Sequence, residues 1–382
     1  MRYRAMATAL FGLESVVAAE LKELGFEIIE TRDGRVAFDA DEAGIFRANL
    51  WLRCAERVYL VVGEFEATDF DTLHESIKRL PWEAYLDKNS KFPVSASSVK
   101  SKLFAVPSIR SVAKAAIVAK LRTIYRTEFF SEDGAEHKIQ IQLLRDRVSV
   151  WIDTSGSGLH KRGYRAYGNK APIKETLAAG LLRIAARPDD MTLIDPMCGS
   201  GTILIEAALM RRNIAPGLQR SFDCEQWGRF NRHLLRHIRE EAQNARLPQS
   251  ESIGKLEGYD IDEASIRQAR TNAQKAGVAE DIHFQVRPFA EFSSREKVGA
   301  IVTNPPYGER LSDHDRAAEL YRTMGEVLSK YQAWSKYIIT AHEGFESAFG
   351  SKATKHRKLY NGMIKSYYYQ YYGVRSNEVR RE

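Results

Sequence analysis

Apolar positions recur along this chain with two periods, and the switches between them mark out its regions. Leu13, Val16, Val17, Leu21 and Leu24 fall on one face of a helix over Leu13–Leu24, with Glu14 and Glu20 among them. Strand Arg35–Phe38, helix Glu42–Arg53 and strand Tyr59–Phe65 follow, so residues 1–65 predict a small α+β unit. Residues 66–154 predict a second. Strand Phe92–Val99 precedes a helix in which Ile109, Val112, Ala113, Ala116, Ile117, Leu121 and Ile124 share a face. Ile139, Ile141 and Leu143 then alternate with polar residues, as do Val148, Val150 and Ile152, and Arg145-Asp146 joins the two runs as a hairpin.

Ser155-Gly156-Ser157-Gly158 reads as a linker. With the following stretch, rich in Lys, Arg and Tyr, it makes residues 155–171 a basic loop. From residue 172 to 382 strands and helices alternate: helix Pro172–Ala185, strand Thr192–Asp195, helix Gly201–Met210, strand Leu256–Asp260, helix Glu263–Ala276, strand Ile282–Val286, strand Ala300–Asn304, helix Ala317–Tyr331 and strand Tyr337–Thr340. A last hairpin turns at Asn361-Gly362. The fold class predicted is α/β, a doubly wound, Rossmann-like sheet closed by an antiparallel hairpin. Residues 211–247 interrupt it as a polar insertion beside the cofactor edge, able to form a lid or simply to pack.

The chain has 382 residues, 44% hydrophobic and 28% charged, which suits two or three soluble domains. No apolar run is long enough to span a membrane, so no membrane partner is expected. Cys54, Cys198 and Cys224 are scattered without metal-ligand spacing, which points to no metal and to a cytoplasmic location. The net charge of +7 raises the expectation of a polyanionic partner without deciding it.

Two segments carry chemistry. Asp195-Pro196-Met197-Cys198-Gly199-Ser200-Gly201-Thr202 runs from a strand through a glycine turn into a helix. Gly199 and Gly201 let backbone approach a ligand, and the helix start favours a carboxylate or a phosphate equally. Leu204 stands where a dinucleotide fingerprint wants its third glycine, and no lysine follows as in a phosphate loop. One strand later Asp260 is placed to accept the two hydroxyls of a ribose, with Ile261 beside it, while Asp262 caps the next helix. Asn304-Pro305-Pro306-Tyr307 is an acceptor-rich strand tip. The Asn304 side-chain oxygen and the Pro305 carbonyl suit a substrate NH₂, Pro306 holds Pro305 extended, and Tyr307 offers a flat face. Such a tip helps an amine whose lone pair is delocalised, because two acceptors stabilise the charge that develops on alkylation.

These residues resemble class I S-adenosylmethionine-dependent methyltransferases that methylate amines. With Asp153-Thr154-Ser155-Gly156, Leu159–Arg165 and Ala171–Leu177, the chain is similar to THUMP-domain RNA guanine-N2 methyltransferases of the RlmL type, which act on 23S ribosomal RNA. The resemblance implies a ferredoxin-like unit over 1–65, a THUMP domain over 66–154 and a methyltransferase domain over 172–382. It places Lys174, Glu175 and Thr176 near the methionine end of S-adenosylmethionine, Asp195, Gly199 and Gly201 in the cofactor turn, and Asp260 on the ribose. Many relatives bind the adenine amine with an acid after the third strand. Here Gln285-Val286-Arg287-Pro288-Phe289 has none, so Phe289 is expected to pack on the adenine instead. Some relatives carry a second methyltransferase domain; with the chain ending at Glu382, that activity is expected in another protein. His160, Lys161, Arg162, Tyr164 and Arg165 combine cations and a tyrosine between domains, and are expected to contact RNA. Two other readings stay open: a tRNA guanine-N2 methyltransferase, and a non-catalytic RNA-binding ribosome-assembly factor.

Overall fold

A computed structural model describes residues 2–165, 173–186, 188, 190–307 and 311–374, without the side chains of 311–314. The first half contains β1 (Tyr3–Ala9), α1 (Glu14–Glu23), β2 (Ile28–Arg32), β3 (Arg35–Ala40), α2 (Glu42–Trp51), β4 (Ala55–Glu66), α3 (Phe70–Arg79), β5 (Val94–Val99), α4 (Val106–Tyr125), β6 (Ile139–Leu144) and β7 (Arg147–Asp153). Asp41 and Asp69 start α2 and α3 by accepting the amides of Gly44 and Thr72 at 2.8 and 2.7 Å. The turn between β6 and β7 puts both Arg145 and Asp146 at positive φ, the geometry that a tight two-residue hairpin needs.

The two units expected here share one seven-stranded sheet, ordered β2-β3-β1-β4-β7-β6-β5. The reason is β4. Its residues from Ala55 to Leu60 pair with β1, and those from Tyr59 to Glu66 pair with β7, so the strand passes from one unit to the other without a break.

The second half contains α5 (Glu175–Ala185), β8 (Leu193–Asp195), α6 (Thr202–Arg211), α7 (Arg232–Asn244), β9 (Leu256–Asp260), α8 (Glu263–Ala276), β10 (Ile282–Val286), β11 (Ala300–Thr303), α9 (Leu311–Ser329), β12 (Ser335–Thr340), α10 (Phe345–Phe349), β13 (Lys355–Asn361) and β14 (Ile364–Tyr371). Their sheet runs β10-β9-β8-β11-β12-β14-β13. Strands β8 to β12 are parallel and the closing hairpin is antiparallel. The chain winds outward in one direction from β8 and in the other from β11. The crevice at such a switch point, at the carboxyl ends of the strands, is where doubly wound sheets bind ligands. No helix among the described residues is long and apolar enough to cross a membrane.

The basic loop differs from its reading as a linker, and the insertion takes the packed one of its two readings. The part of the basic loop that is described, 155–165, is a packed strap rather than an exposed linker, with most of its residues buried. Arg57 holds it through Asp153 and the Gly156 carbonyl. The Ser155 hydroxyl accepts the Val58 amide at 2.8 Å, and the Glu56 carbonyl accepts the Leu159 amide at 2.9 Å. The insertion packs against the first half of the chain. Phe222 meets Phe46 edge-on at 5.8 Å, Trp227 stacks on His137 at 4.5 Å, and Glu241 of α7 pairs with Arg47 at 3.1 Å.

Candidate active site

Both chemical segments lie at the switch point. Asp195 ends β8 and Thr303 ends its neighbour β11, and the Thr303 hydroxyl donates to Asp195 Oδ1 at 2.7 Å. Asp195 also accepts the Met197 amide at 3.2 Å. Burial pushes its carboxyl up to about 7, against the pull of those two donors. The glycine turn and the Asn304–Tyr307 tip are therefore held side by side by a side-chain bond that spans two strands.

Asp260 fixes the turn from the other side. Its Oδ2 accepts the Gly199 amide and its Oδ1 the Asp262 amide, both at 2.9 Å. The Cys198 amide donates to the Tyr259 carbonyl at 2.8 Å. Gly199 sits at φ +52°, and a Cβ built on it would meet no atom within 4 Å, so its open side faces the crevice. Gly201, at φ +80°, has the opposite surroundings. A Cβ there would stand 2.9 Å from Phe284 and 3.0 Å from Ala269, so this glycine lets α6 seat against the sheet. Among the described residues no side chain caps α6; Pro196, Cys198 and Ser200 complete the turn before it, and Thr202 is its first residue.

Each Asp260 oxygen uses one lone pair on backbone and keeps one for a ligand. In Asp260→Asn the new amide nitrogen must oppose one of the two backbone N–H groups. We expect this variant to weaken binding of the demethylated cofactor by about 2 kcal/mol, roughly thirtyfold, in calorimetry. Wild-type affinity would remove Asp260 from the cofactor site.

The tip is braced from behind. The Tyr321 hydroxyl donates to the Pro306 carbonyl at 3.0 Å and lies 2.9 Å from Thr340 Oγ1. Asn361 Nδ2 donates to the Tyr307 hydroxyl at 2.8 Å. Asn304 Oδ1 is buried and accepts no hydrogen bond from the described residues. A buried acceptor left without a donor costs about 1–3 kcal/mol, and at a crevice it marks a place for a ligand's N–H.

The other predicted residues divide. Ile261 is 72% exposed beside Asp260 and presents a free apolar face. Phe289, expected on the adenine, is instead a core residue, parallel to Phe292 at 6.1 Å and buried in the cluster beneath β11 and β12. Lys174 and Thr176 turn toward the first half of the chain: both bond Glu56, Lys174 at 2.8 Å. Burial acts to raise the Glu56 carboxyl, but these two bonds prevail and hold it below the ordinary range. Glu175 is buried, its Oε1 3.3 Å from Arg165 and its Oε2 without a donor among the described residues.

Arg162 and Tyr164, expected to face RNA, are buried under α6. Arg162 Nε lies 3.5 Å and the Tyr164 hydroxyl 3.1 Å from Glu206 Oε1. Arg162 also donates to the carbonyls of Leu159 and Arg53. A guanidinium buried with these partners is structural rather than RNA-facing. Arg165 reaches the Thr202 hydroxyl at 2.9 Å and the Ile173 carbonyl at 2.8 Å. His160 is half-buried beside Glu56 and Lys174, and burial lowers its ring to about 4, so it is neutral at pH 7. Of the five, Lys161 alone is exposed.

Sequence reasoning missed Glu56, Thr303 and Tyr321, and saw Asn361 only as a hairpin turn. Glu206 stood out as an acid following the glycine turn, but not as the partner of Arg162 and Tyr164.

Comparison with known proteins agrees with this geometry. A family profile described as an RMKL-like methyltransferase domain matches residues 162–370, and profiles of an RlmL ferredoxin-like domain and a THUMP domain match residues 4–59 and 67–153. A Bacillus subtilis protein named putative RNA methyltransferase YpsC is 43% identical, over 100% of this chain and 99% of its own. A ribosomal RNA large subunit methyltransferase K/L of Syntrophotalea carbinolica is 35% identical over 94% of this chain, which spans only 52% of that protein. The crystal structure of SMU.472, a putative methyltransferase complexed with SAH, superposes with a TM-score of 0.93 at 41% identity, over 98% of this chain and 99% of that one. The chain therefore belongs to the RMKL-like methyltransferase family, with ferredoxin-like and THUMP domains ahead of an S-adenosylmethionine-dependent catalytic domain.

Proposed function

We propose that this enzyme methylates the exocyclic N2 amine of a guanine in RNA, with 23S ribosomal RNA as its substrate. The observation that carries this reading is the unpartnered Asn304 Oδ1, set beside a glycine turn at the switch point. When bound, S-adenosylmethionine supplies a methyl group on a positively charged sulfur. Asp260 would hold the ribose hydroxyls and Ile261 would cover one face of the adenine. Gly199 would let the turn lie close, with Cys198, Ser200, Gly201 and Thr202 completing it and Glu175 near the methionine end.

Asn304 and the Pro305 carbonyl would accept the two N–H groups of the guanine amine and align its lone pair with the methyl. As the nitrogen–carbon bond would form and the carbon–sulfur bond break, leaving a neutral thioether, the nitrogen would gain positive charge that both acceptors stabilise. The extra proton would pass to water afterward, so no strong base is needed beside the attacking nitrogen. Tyr307 would stack on the purine, which must leave its own stack to arrive. RNA as the substrate class is supported by the THUMP domain and by the names of the two relatives. Lys161 is the strap residue suited to a phosphate.

The test uses purified protein, tritiated S-adenosylmethionine and, separately, unmodified 23S ribosomal RNA and total tRNA, followed by nucleoside separation. Label in N2-methylguanosine from 23S RNA is expected. The same nucleoside from tRNA alone would overturn the substrate. No label from either, with cofactor binding verified, would point to an assembled particle or a protein as the substrate, and would bring forward the non-catalytic assembly factor.

A further inference from the structure

We propose that the tip of the β13–β14 hairpin, together with Phe11, grips the RNA strand on both sides of the nucleotide presented to Asn304, with Met363 entering the gap that nucleotide leaves. This rests on the reading of the substrate as RNA.

The first support is position. Asn361, at the hairpin turn, donates to the Tyr307 hydroxyl at 2.8 Å, so the turn is tied to the tip that would receive the base. Met363 follows two residues later and is 95% exposed, next to the part-exposed Ile364. A flexible, polarizable apolar side chain held in water two residues from that bond fits a wedge, the role Met, Leu and Phe play when they enter a base step.

The second support is the aromatic ledge behind the turn. Phe11, 46% exposed, meets Tyr360 edge-on at 5.7 Å. The Lys358 ammonium stands 5.7 Å from the Phe11 ring and 5.5 Å from the Tyr360 ring. The ledge is built from two domains. Arg357 donates to the Ser15 hydroxyl at 2.7 Å, and a Cβ on Gly12 would lie 2.5 Å from the Lys358 carbonyl, so the β1–α1 loop is seated directly on β13.

The third support is charge. Residues 352–365 hold Lys352, Lys355, Arg357, Lys358 and Lys365 and no Asp or Glu. Phe11 and the half-buried Tyr360, set beside cations on a stretch of chain without acids of its own, suit unstacked bases on a phosphate backbone. A guanine drawn out to Asn304 leaves a vacancy in its strand, and Met363, apolar and exposed, stands two residues from the Asn361 that bonds Tyr307.

The experiment compares full-length wild type with Met363→Asp, Met363→Leu and Phe11→Ala on unmodified 23S RNA under single-turnover conditions. SAH affinity, thermal melting and oligomeric state are recorded alongside. Met363→Asp is expected to lower methylation about tenfold or more, Phe11→Ala by a similar factor, and Met363→Leu little, with SAH affinity and melting temperature unchanged. Methylation by Met363→Asp at the wild-type rate would overturn this inference and leave the substrate reading intact. A dimer lost in Met363→Asp with methylation retained would overturn it in favour of a second copy of the chain. No methylation of RNA by the wild type would overturn the substrate reading, and this inference with it.

Discussion

Asn304→Ala is expected to slow methyl transfer by about 10²–10³-fold while leaving affinity for the demethylated cofactor unchanged. The reason is the division of labour at the switch point. Asn304 Oδ1 accepts nothing from the described protein, so its removal releases no backbone and loosens no turn. The tip keeps its shape through Tyr321 on the Pro306 carbonyl and Asn361 on Tyr307. The cofactor turn keeps its shape through Asp260 on Gly199. What disappears is one acceptor whose value rises as positive charge builds on the substrate nitrogen. Single-turnover rates and calorimetry with SAH separate the two. Parallel loss of rate and cofactor affinity would show that Asn304 supports the turn rather than the amine.

Arg162→Met is expected to destabilise the protein by about 3–5 kcal/mol, the cost of leaving a buried carboxylate without its cation. Glu206 is fully buried, and Arg162 and the Tyr164 hydroxyl share its Oε1. The same guanidinium holds the carbonyls of Leu159 and Arg53, so it ties the strap to both halves of the chain. Adding Glu206→Gln should restore much of the loss, because the amide asks less of its surroundings than the charge did. Chemical denaturation of the single and double variants gives the comparison. Unchanged stability in Arg162→Met, with weakened RNA binding, would return this residue to the RNA-facing role its sequence context suggests.

That disagreement shows what a one-dimensional pattern can and cannot report. The methyltransferase sheet was readable almost strand by strand, because its β-branched runs end at glycine turns and helix caps such as Asp262. Strands β9 and β10 and helix α8 have the bounds the pattern predicts. Strand β1 was not readable: its Ala5, Ala7 and Ala9 carry little strand preference and take their place through pairing on both sides. Among the residues of the proposed site, Asn304, Gly199 and Asp260 stand out in the sequence because chemistry restricts what stands at a strand end. Glu56 was hidden because its partners Lys174 and Thr176 lie more than a hundred residues away. Arg162 and Tyr164 misled for the converse reason. Composition counts charges and rings but is blind to Glu206, which arrives from another element to bury them.

Strand β4 has a consequence for how this chain can be divided. Family profiles part it near residue 60, between 4–59 and 67–153, as if two exchangeable pieces had been joined. The hydrogen-bond ladder crosses that seam: Tyr59 and Leu60 pair with β1 on one side and with β7 on the other. A cut there would expose open strand edges on both fragments, each a template for pairing with the wrong chain. The seam that is natural for classifying the sequence is thus among the worst places to cut the molecule, and the two N-terminal pieces must be inherited, expressed and unfolded as one.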